Sequence, residues 1–436
     1  LQVRVGITGN DLVSHGHKLV MLSAASGLVA VSTRTGAPVI SIAGNQVLSV
    51  SVEGNVISLR GDSNAPVQFA EPIAIRAKVH GNKIEIVNLK REGRAKPPAY
   101  EGIFEVAVRK KASDVLLVLI CDLETYVAGV IASEMPASYE LEAIKAQTLA
   151  ARTYALHPRI SHADEGFNVC DSYLCCQFFA GAESGITPRQ AQAISQTKGE
   201  ILTFEDKPIL ALFSAVAGGH TEDYQNCFSD PVTGAFPPAA IPYLVGVAEG
   251  QLPKSFPSVA AMKELFATPH PDTCDAWSSF FRWQVHFSSA HLDGHMHHVI
   301  SSMQADPNVT PFIHTPESGQ FGHIQGFEIK KRGVSGVAIE LSILTSEGTW
   351  RIEKELLIRQ AFANPDLQLK RLKSARIFFD TQFDKLGLLS HLTVFGFGSG
   401  HGVGLQQQGA QGLALQGRDY RQILKHYFHD VQISKI

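Results

Sequence analysis

The sequence predicts an α+β protein, and three observations carry that prediction. The first quarter of the chain alternates apolar and polar residues at period two between turn signals. Near residue 122 that texture gives way to helical periodicity. Beyond it, strand and helix patterns mix, interrupted by one long irregular stretch. The expected organisation is a β-rich N-terminal domain over 1–110, a mixed helix/strand core over 111–224 and 321–436, and a large insertion over 225–320.

In chain order, strand-like runs cover 28–33, 47–52, 56–59 and 83–87, with a turn at Gly81-Asn82. The apolar runs 115–121 and 208–213 have strand length and read as buried strands. Both fall well short of the roughly 18 apolar residues a membrane helix needs. Leu123, Tyr126, Val127, Val130 and Ile131 then form one apolar stripe behind Asp122, a natural N-cap. Pro136 stops this helix by pushing its predecessor out of the helical region. A second helix is expected over 139–156, with Ser138 as N-cap and Glu140 and Glu142 in the first turn. Lys145 and Arg152, seven residues apart on it, project from nearly the same face.

Thr187-Pro188-Arg189-Gln190 is a capping box with proline at the first helical position, and Gly199 ends the helix it opens. Residues 200–204 and 208–213 suggest a hairpin around Asp206-Lys207. The segment 225–320 is rich in Pro, His and Ser and is expected to be irregular, with short helices near 259–266. Its histidines His286, His291, His295, His297 and His298 read as a solvated loop, because no acidic partner or helical spacing organises them. Strands resume over 324–358. Asp419-x-x-Gln422 is a capping box for a C-terminal helix carrying Tyr420, Ile423, Leu424, Tyr427 and Phe428.

With 436 residues the chain has room for two or three domains and a sizeable core. Its 44% hydrophobic and 18% charged residues exclude a disordered chain. A formal net charge of −3 argues against a general nucleic-acid binder. Six cysteines are too few for a disulfide framework, but three of them fall within seven residues. The sequence opens Leu1-Gln2-Val3, without Met, which agrees with removal of a signal peptide.

Three segments carry chemistry. In Ala132-Ser133-Glu134-Met135-Pro136 a carboxylate sits at a helix end, held by an X-Pro segment in apolar surroundings that suit a general acid. By spacing alone, a surface glutamate is the commoner outcome. Gly218-Gly219-His220-Thr221-Glu222-Asp223 follows a strand pattern, and its glycines permit a close backbone approach. Residues 395–406 interleave glycines with His401 and aromatics, without the βαβ context or acidic partner of a dinucleotide site. His220 and His401 stand in no His-x-x-x-His ligand spacing.

Residues 126–136 and 141–156 resemble the SpoIID/LytB family of stage II sporulation protein D, which includes amidase enhancers. Residues 218–223, 400–404 and 409–427 match further motifs of that family in the same order. The resemblance covers roughly 110–224 and 324–430. It implies a SpoIID-like fold and a peptidoglycan lytic transglycosylase. Such an enzyme cuts the β-1,4 bond between N-acetylmuramic acid and N-acetylglucosamine without water and leaves 1,6-anhydro ends, on strands denuded of stem peptides in some members. Glu134 matches the catalytic position, and no second carboxylate is required, unlike in hydrolytic glycosidases. Lys145, Arg152, Ser214, His220, Thr221, Glu222 and His401 would contact the glycan or line its groove, or equally form a hydrogen-bond network bracing it. The partners implied are glycan strands and a cell-wall amidase acting upstream, in the periplasm or cell envelope. The family also implies an alternative, a non-catalytic glycan-binding module that stimulates an N-acetylmuramoyl-L-alanine amidase.

Cys170, Cys175 and Cys176 lie in a segment that resembles one binding a structural zinc in some members, with His162 the nearest upstream candidate for a fourth ligand. No cofactor is implied for the chemistry itself. Cys-x4-Cys-Cys is not a standard zinc pattern. Disulfides compete with it: Cys170 with Cys175 or Cys176, or Cys227 with Cys274.

Overall fold

Strand Asp114–Asp122 holds the centre of the first sheet because five successive residues, 115–119, are buried. That is the pattern of a strand covered on both faces. In the computed structural model, which describes residues 1–436 except 62–64, 110–111, 159–161, 182–185, 257 and 269–271, this strand pairs antiparallel with Gln2–Gly6 on one side and Ile103–Arg109 on the other. The sheet continues through Ile73–Ala77 and Leu28–Ser32 to Pro38–Ile42. At its opposite edge Val169–Cys170 runs parallel to Gln2–Gly6. A second sheet orders Ala99–Tyr100, Ile84–Ile86, Leu19–Ser23, Val47–Glu53, Val56–Gly61 and Val67–Phe69.

Helix α1 (Leu123–Glu134) starts at Asp122, whose side chain accepts from Glu124 N, and ends at Met135 before the proline. Helix α2 (Leu141–Leu156) starts two residues later than its composition suggests. Its N-cap is Glu140, not Ser138, and no side chain caps it. Helix α3 (Pro188–Gln196) has the full capping box of Thr187 and Gln190. Strand Glu200–Phe204 then turns through Glu205 and Asp206, both at positive φ, into the two-residue strand Lys207–Pro208. The expected second hairpin arm therefore stops at Pro208. Residues 209–212 are buried but pair in no strand, since a short apolar run is read equally well as strand or packed coil.

The chain divides into two compact units, Leu1–Leu210 with Ile433–Ile436, and Ala211–Gln432. This division cuts the chain differently from the partition expected at 110, 224 and 321, and the boundary at 110–111 lies outside the described residues. In the second unit, Arg282–Ser288, Leu389–Phe397 and Ile377–Phe383 form one antiparallel sheet. Ile313–His314, Gly348–Glu353, Ala338–Thr345 and Ile324–Arg332 form another. Phe213–Ser214 runs parallel to Leu405–Gln406. Phe256, Met262, Leu265, Phe378 and Phe397 pack as one buried cluster, so residues near 259–266 share a core with the sheet.

The stretch 225–320 is more ordered than its composition implies. It contains α4 (Val259–Ala267), strand Arg282–Ser288 and the 16-residue α5 (Ser289–Gln304). Leu292, Met296 and Ile300, four apart, bury one face of α5, and Ser288 and His291 form its capping box. The histidines are thus helix and strand residues. His295 pairs with Asp366 at 2.7 Å, and His286 bonds Thr393 at 3.0 Å. Helices α6 (Glu355–Ala361), α7 (Gln407–Leu415) and α8 (Tyr420–Tyr427) complete the unit, the last with the Asp419–Gln422 capping box in place. The architecture is mixed α+β, as the sequence predicts. Among the described residues no helix is long and apolar enough to cross a membrane.

Candidate active site

Glu134 is the last residue of α1 and is half-buried. It lines a cavity of about 370 Å³ together with Ser133, Met135, Pro136, Thr187 and Gln190. Three short-range features build this corner. Pro136 stops α1 so that Glu134 sits at its mouth. Gln190, beyond its capping role, donates to the carbonyls of Met135 at 3.1 Å and Ile131 at 3.4 Å, which fixes the α1 terminus against the start of α3. Ser133 Oγ donates to Gly129 O at 2.8 Å and accepts from Ala180 N at 3.1 Å.

The carboxylate is held from a second direction. Glu134 Oε1 accepts the backbone N–H of Phe178 at 2.7 Å. This bond favours the ionised carboxylate and fixes the orientation of the side chain. Phe178, Ser133, Thr187 and Gln190 were not legible as site residues. A backbone N–H has no side-chain signature, and Thr187-x-x-Gln190 reads as a cap.

The two basic residues of α2 have partners elsewhere. The Arg152 side chain is fully buried and bonds both carboxylate oxygens of Glu124, at 2.9 and 2.8 Å, and the carbonyl of Glu200 at 2.9 Å. It therefore locks α2 to the first turn of α1 and to strand Glu200–Phe204, and no face of it is open to a glycan. Lys145 pairs with Glu142 on its own helix at 2.6 Å.

His162, Cys170, Cys175 and Cys176 converge, with all four ligand atoms within 4.8 Å of one another. His162 Nε2 is 3.4 Å from Cys176 Sγ and 3.5 Å from Cys175 Sγ, and the two sulfurs are 3.9 Å apart. A tetrahedral zinc with bonds of about 2.3 Å to sulfur and about 2.0 Å to nitrogen sets its ligand atoms roughly 3.5–3.8 Å apart, so the donor set fits that ion. Hydrogen bonds from Cys170 and Cys176 hold the Cys175 thiol well below the usual thiol range, with His162 adding to the effect. The competing disulfides are not formed, and all six cysteines are free. Cys227 instead faces His401 O, and Cys274 faces the Tyr427 hydroxyl.

The thiol loop is anchored in the first sheet. Asp171, fully buried, accepts from Thr8 N at 2.8 Å and Thr8 Oγ1 at 2.6 Å and pairs with buried Arg91. His162 stacks on Phe167, with ring centroids 4.6 Å apart, and Phe167 fills the space that a side chain at Gly6 would occupy. After the thiols, Gln177 donates to Tyr126 OH at 3.0 Å and Ala151 O at 3.1 Å. Phe178 follows immediately.

Residues 111–204, which hold Glu134, the thiol cluster and α2, match the family model of stage II sporulation protein SpoIID. The chain carries a SpoIID domain. A second model, a domain of unknown function (DUF8618), matches residues 238–404. The chain is similar to the amidase enhancer of Bacillus subtilis, 28% identical over 300 residues, which are 69% of this chain and 39% of that protein. It is similar to stage II sporulation protein D of the same organism, 26% identical over 326 residues, covering 72% and 74%. An uncharacterized protein of Brachyspira hyodysenteriae is 28% identical over 313 residues, covering 72% and 66%. The chain thus spans less than two thirds of the amidase enhancer and just under two thirds of the Brachyspira protein.

The other candidates lie in the second unit of the chain, where the Gly218–Asp223 and Gly400–Gly404 segments meet. Glu222 N donates to Gly402 O at 2.9 Å, and Gly402 N donates to Ser214 Oγ at 3.2 Å. Glu222 is closed to solvent and accepts from Ser335 N and Val334 N, each at 3.0 Å, from Ser335 Oγ at 2.5 Å and from Asn226 Nδ2 at 2.8 Å. Burial pushes its carboxyl up from the usual range, and these bonds offset part of that. Thr221 Oγ1 accepts from Val247 N at 2.7 Å. Both His220 nitrogens face carbonyls, Thr221 O at 2.6 Å and Lys254 O at 3.1 Å, which leaves no nitrogen for a metal. Ser214 is buried and bonds Gln406. His220, Thr221 and Glu222 therefore brace this segment from inside, and of the two roles expected for them their burial fits the bracing one and not the lining of a groove. His401 is only half-buried. It accepts from Val403 N at 3.0 Å, and desolvation and nearby Arg359 push its pKa down to about 4.

Proposed function

We propose that the chain is a peptidoglycan lytic transglycosylase in which Glu134 serves as both acid and base. The observation that carries this reading is the half-buried carboxylate of Glu134, among the described residues the one carboxylate lining the cavity at the end of α1, with its Oε1 on the Phe178 N–H. Protonated Glu134 gives its proton to the glycosidic oxygen as the bond from muramic C1 to that oxygen breaks. Glu134, now a carboxylate, takes the proton of the muramic C6 hydroxyl, and O6 bonds C1. The acid is regenerated, no water enters, and the product ends in 1,6-anhydro-muramic acid. The Phe178 N–H favours the carboxylate half of that cycle. Names of relatives that refer to sporulation and to amidase enhancement support a cell-wall role and an exported chain.

The test is to incubate the protein with purified glycan strands, with and without stem peptides, and to analyse the products by mass spectrometry. Anhydro-muramyl ends are expected, and Glu134→Gln is expected to remove them while strand binding persists. Products that carry an added water would sink the mechanism. The name of the Bacillus subtilis relative favours one second reading, a glycan-binding module that stimulates an N-acetylmuramoyl-L-alanine amidase. Strand binding without any product, together with faster turnover of an added amidase, is its signature.

A structural zinc held by His162, Cys170, Cys175 and Cys176 belongs to the same proposal. It would tie the loop 170–176 and take no part in the bond-breaking step.

A further inference from the structure

We propose that Trp277, Phe280 and Lys373 form a second glycan-binding platform, in the unit Ala211–Gln432, that stacks on the sugar faces of a peptidoglycan strand. The inference rests on the reading of the chain as one that acts on peptidoglycan. It concerns residues in the 225–320 stretch and the segment before strand Ile377–Phe383, to which no role has been given above.

The chain has three tryptophans. Trp283 and Trp350 are 6% and 2% exposed, whereas Trp277 is 51% exposed and Phe280, three residues on, is 38% exposed. Single exposed apolar residues are ordinary. Two aromatic rings on one rigid loop are not explained that way, and this loop is rigid. Asp275, buried, accepts Gly218 N at 2.8 Å and Gly219 N at 3.1 Å, and Thr273 Oγ1 donates to it at 3.1 Å. Ser278 N donates to Asp275 O, and Phe280 N and Phe281 N donate to Ser278, all at 3.0 Å. Gly398 N closes the loop on Phe281 O at 3.1 Å. Both ends of the loop are thus pinned to glycine-rich turns, which holds in place the backbone that carries the two rings.

The same turns bring a cation beside Phe280. Lys373 O accepts Gly400 N at 2.9 Å, and its Nζ lies 5.4 Å from the Phe280 ring centroid. Aromatic faces beside an ammonium match a pyranose ring, whose C–H face is apolar, next to a carboxylate. The lactyl ether of muramic acid supplies that carboxylate on a denuded strand, and the stem peptide supplies it otherwise. Two rings and one cation are too small a patch for a stable protein partner, which needs about 800 Å² on each side. The net charge of −3 speaks against a nucleic acid.

The experiment uses the full chain carrying Glu134→Gln, so that strands stay intact. Tryptophan emission and acrylamide quenching are followed as glycan strands, denuded or stem-bearing, are added. Only Trp277 is exposed, so quenching reports on it. Strands are expected to shift the emission and to shield Trp277. Trp277→Ala or Phe280→Ala is expected to weaken sedimentation with strands about tenfold without changing the unfolding temperature. Lys373→Ala is expected to weaken binding to denuded strands and to leave binding to a chitooligosaccharide, which lacks the carboxylate, unchanged. Strands that bind without shielding Trp277, or that bind both aromatic variants at wild-type strength, overturn the platform and leave the cleavage reading intact. Loss of all strand binding and all cleavage in the wild type removes both.

Discussion

The backbone N–H of Phe178 bonds Glu134 Oε1 at 2.7 Å, across 44 residues of sequence. That bond makes the proposed acid depend on a loop with no chemistry of its own. The loop runs from the buried Asp171–Arg91 pair, through the two thiols of Cys175 and Cys176, to Gln177, which is tied to Tyr126 and Ala151. Displacing any of these anchors moves the donor away from the acid.

Gly129→Ala tests this from the helix side. An alanine Cβ at 129 would lie 2.2 Å from the Phe179 ring, which must shift and take Phe178 with it. Overpacking of this kind costs about 1–3 kcal/mol, so urea unfolding should move to lower concentration and anhydro-product formation should slow. Gly294→Ala is the control. That glycine lies in α5 with nothing near its Cβ position, and the change should stabilise by roughly 0.5–1 kcal/mol with activity unchanged. Equal behaviour of the two variants would refute the steric argument.

Arg152→Lys separates brace from ligand. Lysine cannot reproduce the two-pronged bond to Glu124 and still reach Glu200 O. Because Glu124 keeps partial solvent access, the loss should be about 2–3 kcal/mol, below that of a wholly buried pair. Denaturant unfolding should report that drop while KM for strands stays near the wild-type value. A raised KM with unchanged stability would instead make Arg152 a glycan contact.

These residues also show where sequence reasoning reached and where it stopped. Asp122, Thr187–Gln190 and Asp419–Gln422 were legible because a cap and its partner lie two or three residues apart. Glu134 and Pro136 were legible as a helix end. The partners of Lys145 and Arg152 were not. Spacing of seven puts both on one face, but it cannot say that Glu142 and Glu124 are the acids they meet. Helix α5 was hidden because its buried stripe is only Leu292, Met296 and Ile300, set among four histidines. The convergence of His162 on the thiols depends on its stacking against Phe167, which no local pattern announces.

The thiol cluster predicts a metal content of about one zinc per chain, read by inductively coupled plasma mass spectrometry. Cys175→Ser should lower that content and the unfolding temperature, and zinc should not restore them fully. Chelation of the wild type should lower the unfolding temperature reversibly. An unchanged unfolding temperature after complete metal removal would mean that the loop is held by Asp171 and Gln177 alone.

His401 predicts a pH dependence with a definite sign. Its folded pKa is depressed from 6.5 to about 4 by desolvation first and by Arg359 second. A depressed histidine binds fewer protons folded than unfolded. Stability from the neutral ring is therefore fully present above pH 6.5 and is lost as pH falls through 6.5 towards about 4. The shift corresponds to at most about 3 kcal/mol, reduced by the partial exposure of the ring. His401→Asn keeps an acceptor for Val403 N and removes the titration. Urea midpoints measured at pH 7.5 and at pH 4.5 should therefore differ less in the variant than in the wild type. Glu222 and Asp275, both raised by burial, act in the opposite direction and are common to the two proteins, so they cancel in the comparison. An identical acid dependence in variant and wild type would show that His401 titrates as it does in the unfolded chain.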